Sequence, residues 1–371
     1  MCAFKLFSFS YLPSHITLYR FFGENAHIFS IEGGGKKLRK WIYNEYGLKA
    51  EKMEKLGRYE AMIAKNQHYF VVPVENVSDE EIAELQQMSL YMFTKGDGAV
   101  ATFVPTRMGS FVTQVNEKRI VVLRGNIQPY ARTLNIGREL AKFHQRGRTY
   151  PYPVRQCNRI GQWKELWGKR VDQMEAFWRG KVQMHPENAF ERLFIESFPY
   201  YLGIAENAIQ YLVDTELDDQ PQGVDYATIC HQRFTIGLWR NDYEIKFPTD
   251  WVYDHCARDL AEWVRHFFQT TKFIETDKIR QFFQEYQRVT PLTPFSWRLI
   301  YSRLLFPLHY FECIEGYYLA QKDEEKAMYE RKLSKMLNDS QKYERFLAMF
   351  YELAGFSVNT SHVPRIKWLE A

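Results

Sequence analysis

Cysteine is scarce and unorganised. Cys2, Cys157, Cys230, Cys256 and Cys313 are an odd number, widely separated, with no C-x-x-C spacing. That speaks against a disulfide framework or a structural zinc site and leaves reduced thiols packed in a core as the expectation. Long hydrophobic runs are missing too. No stretch of about 18 apolar residues occurs, so no helix spanning a membrane is expected and a membrane is not among the expected partners. Charge of one sign is absent: 49 Lys plus Arg stand against 45 Asp plus Glu, leaving a net +4. No basic stripe interleaves with aromatic residues, so nucleic acid is not an expected partner either. The N-terminus has no basic start, apolar h-region or small-residue cleavage site, which argues against a secretory signal. Gly33-Gly34-Gly35-Lys36-Lys37 puts glycine beside lysine but lacks the spacing of a phosphate loop and follows no convincing strand.

What the chain has in quantity is aromatic rings. They make up 16% of it, with 24 Tyr and 28 Phe. Such rings bury much area at low entropy cost, so a rigid, well-packed body is expected, and 371 residues leave room for two lobes. Residues 1–37 read as an extension without apolar periodicity. Glu32-Gly33-Gly34 is open to reading as a translated purine-rich ribosome-binding sequence, which would make Leu38 the start, just before a helix over Arg39 to Tyr46.

Beyond it the patterns alternate clearly. Gly57 to Ala64 and His68 to Val74 flank the polar turn Lys65-Asn66-Gln67 as a hairpin. Ser78-Asp79-Glu80-Glu81 is a capping box opening a helix that carries Ile82, Leu85 and Met92. Phe111 to Val115 and Arg119 to Leu123 form a second hairpin about Asn116-Glu117-Lys118. A polar break follows at Arg124 to Gln128. The remainder reads mostly helical, over about 188–212, 257–270, 276–288, 296–319 and 322–354, with short strands at Thr228 to Cys230 and Tyr243 to Phe247. The expectation is an α+β bilobal fold: a β-rich N-lobe over 38–124, a hinge at 125–132 and a helical C-lobe over 133–371.

Three segments resemble motifs of the aminoglycoside phosphotransferase and choline kinase superfamily, a small-molecule branch of the protein-kinase-like fold. Leu134-Asn135-Ile136-Gly137-Arg138-Glu139-Leu140-Ala141-Lys142-Phe143-His144 is similar to the L-G-x-x-L-A-x-F-H helix that opens the helical lobe there. Ile229 to Leu238 (ICHQRFTIGL) stands where those proteins carry the catalytic loop H-x-D-x-x-x-x-N. Thr249-Asp250-Trp251, then Asp259-Leu260-Ala261, look like the metal-binding I-D-[WF] and the D-L-A that follows it. The I-C-H-Q loop and the segment Tyr46 to Met53 leading into Gly57-Arg58-Tyr59 are similar to the spore-coat kinase-like proteins of Bacillus, in particular their YutH branch, over about 38–371.

The resemblance carries a deficit with it. The catalytic aspartate position is Arg233, which cannot act as a base, and the asparagine position is Leu238, which has no metal-ligand atom. Tyr69 to Val74, the expected third strand, contains no lysine to grip phosphates; Lys65 lies on the preceding turn. Of the metal ligands only Asp250 remains, and losing a general base alone typically costs 10²–10⁴ in rate. His231 is expected to brace the loop, Asp259 to tie it by hydrogen bonds, and His144 to be a packing residue. Arg233 is expected to engage Asp250 or another cleft carboxylate such as Asp254.

By this resemblance the chain is expected to be a pseudokinase of the endospore coat, made in the mother-cell cytoplasm without a signal peptide. Other coat proteins would be its partners, and no cofactor is expected beyond weak ATP and magnesium binding. Two alternatives stand beside it: an active small-molecule phosphotransferase using Asp242 or Asp254 as a displaced base, and a nucleotide-binding regulator without turnover.

Overall fold

The computed structural model describes residues 34–115, 117–129, 135–239, 243–271, 276–357, 363–364 and 366–369. Most of the N-terminal extension, Cys2, part of the expected hinge, Leu134 and Asp242 lie outside these residues.

In chain order the first elements are α1 (Gly34–Tyr46), β1 (Lys52–Leu56), β2 (Tyr59–Ala64), β3 (Gln67–Pro73) and α2 (Asp79–Thr94). Next come β4 (Thr102–Phe103), β5 (Val112–Val115), β6 (Lys118–Gly125), β7 (Gln128–Pro129) and α3 (Ile136–Arg148). Helices α4 (Trp163–Val182) and α5 (Ala189–Asp218) follow, then the short strands β8 (Thr228–His231), β9 (Tyr243–Glu244) and β10 (Trp251–Asp254). The chain continues with α6 (Ala257–Thr270), α7 (Thr276–Gln287), α8 (Pro294–Leu305), α9 (Leu308–Leu319), α10 (Asp323–Asn338) and α11 (Ser340–Leu353). The fold is α+β, with a small antiparallel sheet early in the chain and a mostly helical remainder. Two compact units form, one from Glu24–Arg159 with Ala227–Asp259, the other from Ile160–Tyr226 with Leu260–Ala371.

In the first unit the sheet runs β1-β2-β3-β6-β4, with β5 also paired to β6. Both hairpins read from the sequence are present. The turn between β2 and β3 is tight because Lys65 and Asn66 both adopt positive φ (50° and 59°), as a two-residue hairpin of matching twist requires. The capping serine works as read: Ser78 Oγ accepts from the Glu81 N–H at 3.1 Å. Helix α1 covers one face of the sheet, burying Leu38, Ile42 and Tyr46 against Met62, Tyr69, Val71 and Val122. Side chains alternate along a strand, so Tyr59 and Ala61 of β2 and Phe70 and Val72 of β3 present to the opposite face, and all four are buried.

The second unit is where most of the rings go. Phe190 of α5 stacks on Tyr317 of α9 at 3.7 Å, and Tyr201 stacks on Tyr310 at 3.8 Å. Arg170 meets Glu315 through two bonds of 2.8 and 2.6 Å in the same interior. The stretch expected as one helix over 296–319 is two. Proline has no N–H, and it turns the residue before it to extended geometry; Phe306 ahead of Pro307 accordingly ends α8 at φ −61°, ψ 119°. Cys157, Cys230, Cys256 and Cys313 are buried free thiols, as expected, and no helix among the described residues is long and apolar enough to cross a membrane.

Candidate functional site

All the residues discussed here belong to the first unit. Strand β8 delivers the segment that occupies the catalytic-loop place, and β10 pairs with it antiparallel so that His231 lies opposite Trp251. Helix α3 presses on β8 so closely that a β-carbon at Gly147 would sit 2.5 Å from Thr228 Oγ1 and 2.7 Å from the Ile229 nitrogen. Only glycine fits there. Thr228 Oγ1 also donates to the His144 carbonyl at 2.7 Å, fixing the register of helix against strand.

Asp259, in the first turn of α6, is the knot of the loop. Its Oδ1 accepts the His231 backbone N–H at 2.8 Å, while Oδ2 lies 2.7 Å from His231 Nδ1 and 3.0 Å from His144 Nε2. Burial works to raise the pKa of this carboxyl, but the two imidazoles outweigh it and bring it down to about 2. An ionised carboxylate only accepts, so both ring nitrogens facing it carry hydrogens. Burial takes the His144 pKa down to about 4 against the pull of Asp259, so that ring is a neutral donor. The tying role read for Asp259 is what this geometry provides. His144, Cys230 and Asp259 also bring one ligand atom each within 4.8 Å of one another. However, the carboxylate already holds both rings, and burial first of all pushes the Cys230 thiol well above its ordinary pKa. Its Sγ lies 3.4 Å from the His255 carbonyl as a donor. The cluster is satisfied as a hydrogen-bonded brace.

Arg258 adds a second brace, its Nε donating to the His231 carbonyl at 3.0 Å and its Nη1 to Asp254 Oδ2 at 2.8 Å. Asp254, read as a displaced base, is thus buried and ion-paired. Arg233 and Leu238 are half-buried on the loop after β8.

The carboxylate of Asp250 is met by a residue that sequence reasoning did not single out. Arg58 Nη2 donates to Asp250 Oδ2. Arg58 stands in the two-residue turn between β1 and β2, whose first position, Gly57, has φ +59°, and its guanidinium also lies 4.8 Å from the Tyr59 ring centre. Burial works against the Arg58 charge, but Asp250 and then Tyr59 outweigh it and raise its pKa further. On β3, Phe70 and Val72 share one face and are buried, and the strand contains no lysine. Lys246, also missed, is buried and committed. Its Nζ pairs with Asp97 at 2.8 Å and lies 4.3 Å over the Trp239 ring. Arg58 lies in a segment that carries the family likeness but no assigned role, and Lys246 in none, so only their place in the fold reveals what they do.

Comparison with known proteins puts this geometry in context. A family model described as "Spore coat putative kinase YutH" matches residues 39–350. The endospore coat-associated protein YutH of Bacillus subtilis (strain 168) is 46% identical over 330 residues, 88% of this chain and 97% of that protein. Among solved structures, an aminoglycoside phosphotransferase from Alicyclobacillus acidocaldarius superposes with a TM-score of 0.57 at 14% identity, covering 82% of this chain and 93% of its own. A spectinomycin phosphotransferase solved with ADP and spectinomycin gives 0.54 at 12% identity, over 81% and 94%. At such identities these structures speak for the fold alone.

Proposed function

The chain belongs to the YutH family of spore-coat proteins, and from that premise we propose that it serves the endospore coat as a catalytically degenerate kinase-like module. In this reading it is made in the mother-cell cytoplasm and acts by contact with other coat proteins. The observation that carries the degenerate half is Arg58 on Asp250. In phosphoryl transfer the protein mainly positions groups and neutralises charge, with magnesium bridging the phosphates from the metal aspartate. Here a fixed guanidinium stands on the one metal ligand that remains, and the base, asparagine and lysine positions hold Arg233, Leu238 and apolar β3 residues. The β1–β2 turn offers one glycine, where protein kinases spread a G-x-G-x-x-G loop over the phosphates. Asp254, the described carboxylate nearest in role to a displaced base, is held by Arg258.

The experiment has two arms. Phosphate release from ATP with magnesium by the purified chain is expected to match that of an Asp250→Ala control, and robust hydrolysis lost in that control would overturn the degenerate reading. Coat fractionation of spores with and without the gene is expected to recover the protein in the coat layers and to show changed extraction of other coat proteins. Recovery in the spore core alone would overturn the coat reading.

A further inference from the structure

We propose that the chain plugs its own nucleotide slot: Phe247, Ile245 and the backbone between them fill the space beneath β2 and β3 where a purine would enter. This rests on the degenerate kinase-like reading and deepens it, from a site without catalytic groups to a site closed to the nucleotide.

The place follows from the parts that bracket a nucleotide in this fold: the turn between the first two strands, the third strand and the metal aspartate. In this chain those parts are Gly57-Arg58, β3 and Asp250. The sheet face between them presents Tyr59 and Phe70, both buried. The Phe247 ring packs onto both, with centroids 4.8 Å from Tyr59 at 66° and 5.1 Å from Phe70 at 83°. Two edge-to-face contacts on one ring leave no parallel gap into which a planar base could slide. Ile245 closes the side toward Gly125. A β-carbon at Gly125 would lie 2.3 Å from Ile245 Cδ1 and 3.4 Å from the Phe70 ring, so the isoleucine rests on bare backbone.

The plug is anchored along its length. The Lys246 N–H donates to the Ala99 carbonyl at 2.8 Å, and the Ala101 N–H donates to the Lys246 carbonyl at 2.9 Å. Lys246 Nζ holds Asp97, and Arg58 holds Asp250 at the far end of the segment. Of these contacts only Arg58 on Asp250 involves a group that magnesium could compete for; the ring packing of Phe247 and the Lys246 backbone bonds involve no metal-ligating side chain. Exclusion of the base therefore does not depend on the lost metal ligands.

The test uses adenosine, which asks nothing of the missing phosphate grips, in saturation-transfer NMR with the full chain. The unaltered protein is expected to give no transfer at millimolar adenosine. Phe247→Ala is expected to give transfer that ADP competes away, a gain of roughly tenfold or more in affinity. Circular dichroism checks its fold. If that variant does not fold, Phe247→Leu is read instead, since it keeps most of the apolar volume but removes the ring; the expected gain is smaller and of the same sign. Competed transfer to the unaltered protein overturns the plug, as does the absence of transfer to whichever variant folds. Both outcomes differ from ATP hydrolysis by the unaltered chain, which would overturn the underlying reading.

Discussion

Asp250 and Arg58 show how a half-buried carboxylate can be kept in a stable fold. A carboxylate in a partly closed place is costly without a counter-charge, and arginine supplies a permanent one. The side chains are 19% and 38% exposed, so the pair lies between a surface ion pair worth about 0–1 kcal/mol and a buried one whose disruption costs about 3–5 kcal/mol. Arg58→Ala and Asp250→Ala are each expected to destabilise by about 1–2 kcal/mol, and the double variant by less than the two combined. Urea unfolding of all four proteins measures this, and strict additivity would show that the two residues act separately. The sequence made the need for a counter-ion legible and offered Arg233 for Asp250 or another cleft carboxylate such as Asp254; at Asp250 the structure places Arg58, brought by strand pairing that no local pattern reveals. The role of Asp259 was legible because the D-L-A segment follows the loop at the family's interval. Its partner His144 has a pH consequence. Unfolded, its ring takes a proton below about 6.5; folded, it does so only below about 4. Its contribution is therefore complete above pH 6.5 and is lost as pH falls toward 4, by up to about 1.4 kcal/mol per pH unit. His144→Gln is expected to lower stability at pH 7 and to flatten the decline between pH 6.5 and 4, checked by melting temperatures across that range. An unchanged slope would assign the decline to another group.

Among the elements, those with turn chemistry or a cap beside their periodicity were read correctly, and most of those held by tertiary contact were not. The two hairpins, α2 with its serine cap and α6 needed only local pattern. Strand β1 reads Lys-Met-Glu-Lys-Leu, a charged edge with little strand character, and becomes a strand by pairing with β2 over its whole length. Helix α4 was not anticipated, although Trp163, Trp167, Val171, Met174 and Phe177 recur at helical spacing and are all buried. The segment 243–247 was read as a strand; only Tyr243 and Glu244 form one, and the residues after them lie along 99–101. The position of α2 is set by a contact with no sequence signature. Glu84 accepts backbone N–H groups from Arg155, Gln156 and Cys157 at 2.9–3.0 Å. Tyr91 Oη reinforces it on the Thr149 carbonyl at 2.6 Å. Hydrogen bonds to a charged group contribute about 1.5–3 kcal/mol, so Glu84→Gln, which keeps the shape and loses the charge, is expected to cost about 2 kcal/mol. Amide exchange at 155–157 should accelerate with it. Unchanged protection there would mean the loop is held by its other contacts.

For the molecule as a whole, the proposed degenerate reading spreads the loss of chemistry over several positions, which would make it hard to reverse. A kinase-like site works as a unit: base, metal ligands and phosphate grips each act on a substrate that the others hold. In that reading Arg233 stands at the base position, Leu238 at a metal-ligand position and apolar residues on β3, while Arg58 meets Asp250. Restoring one member of such a set does not restore a matching share of the rate, because residues that act together are strongly non-additive. Arg233→Asp is therefore expected to release phosphate from ATP no faster than the unaltered chain. Adding Leu238→Asn is expected to leave it unchanged, since Arg58 still occupies Asp250 and Phe247 still meets Tyr59 and Phe70. The measurement is phosphate release with magnesium over hours at high protein concentration, with Asp250→Ala as the blank. Hydrolysis above the blank from Arg233→Asp alone would mean that the nucleotide already binds in a productive pose and that a single missing base was all that separated this fold from its active relatives.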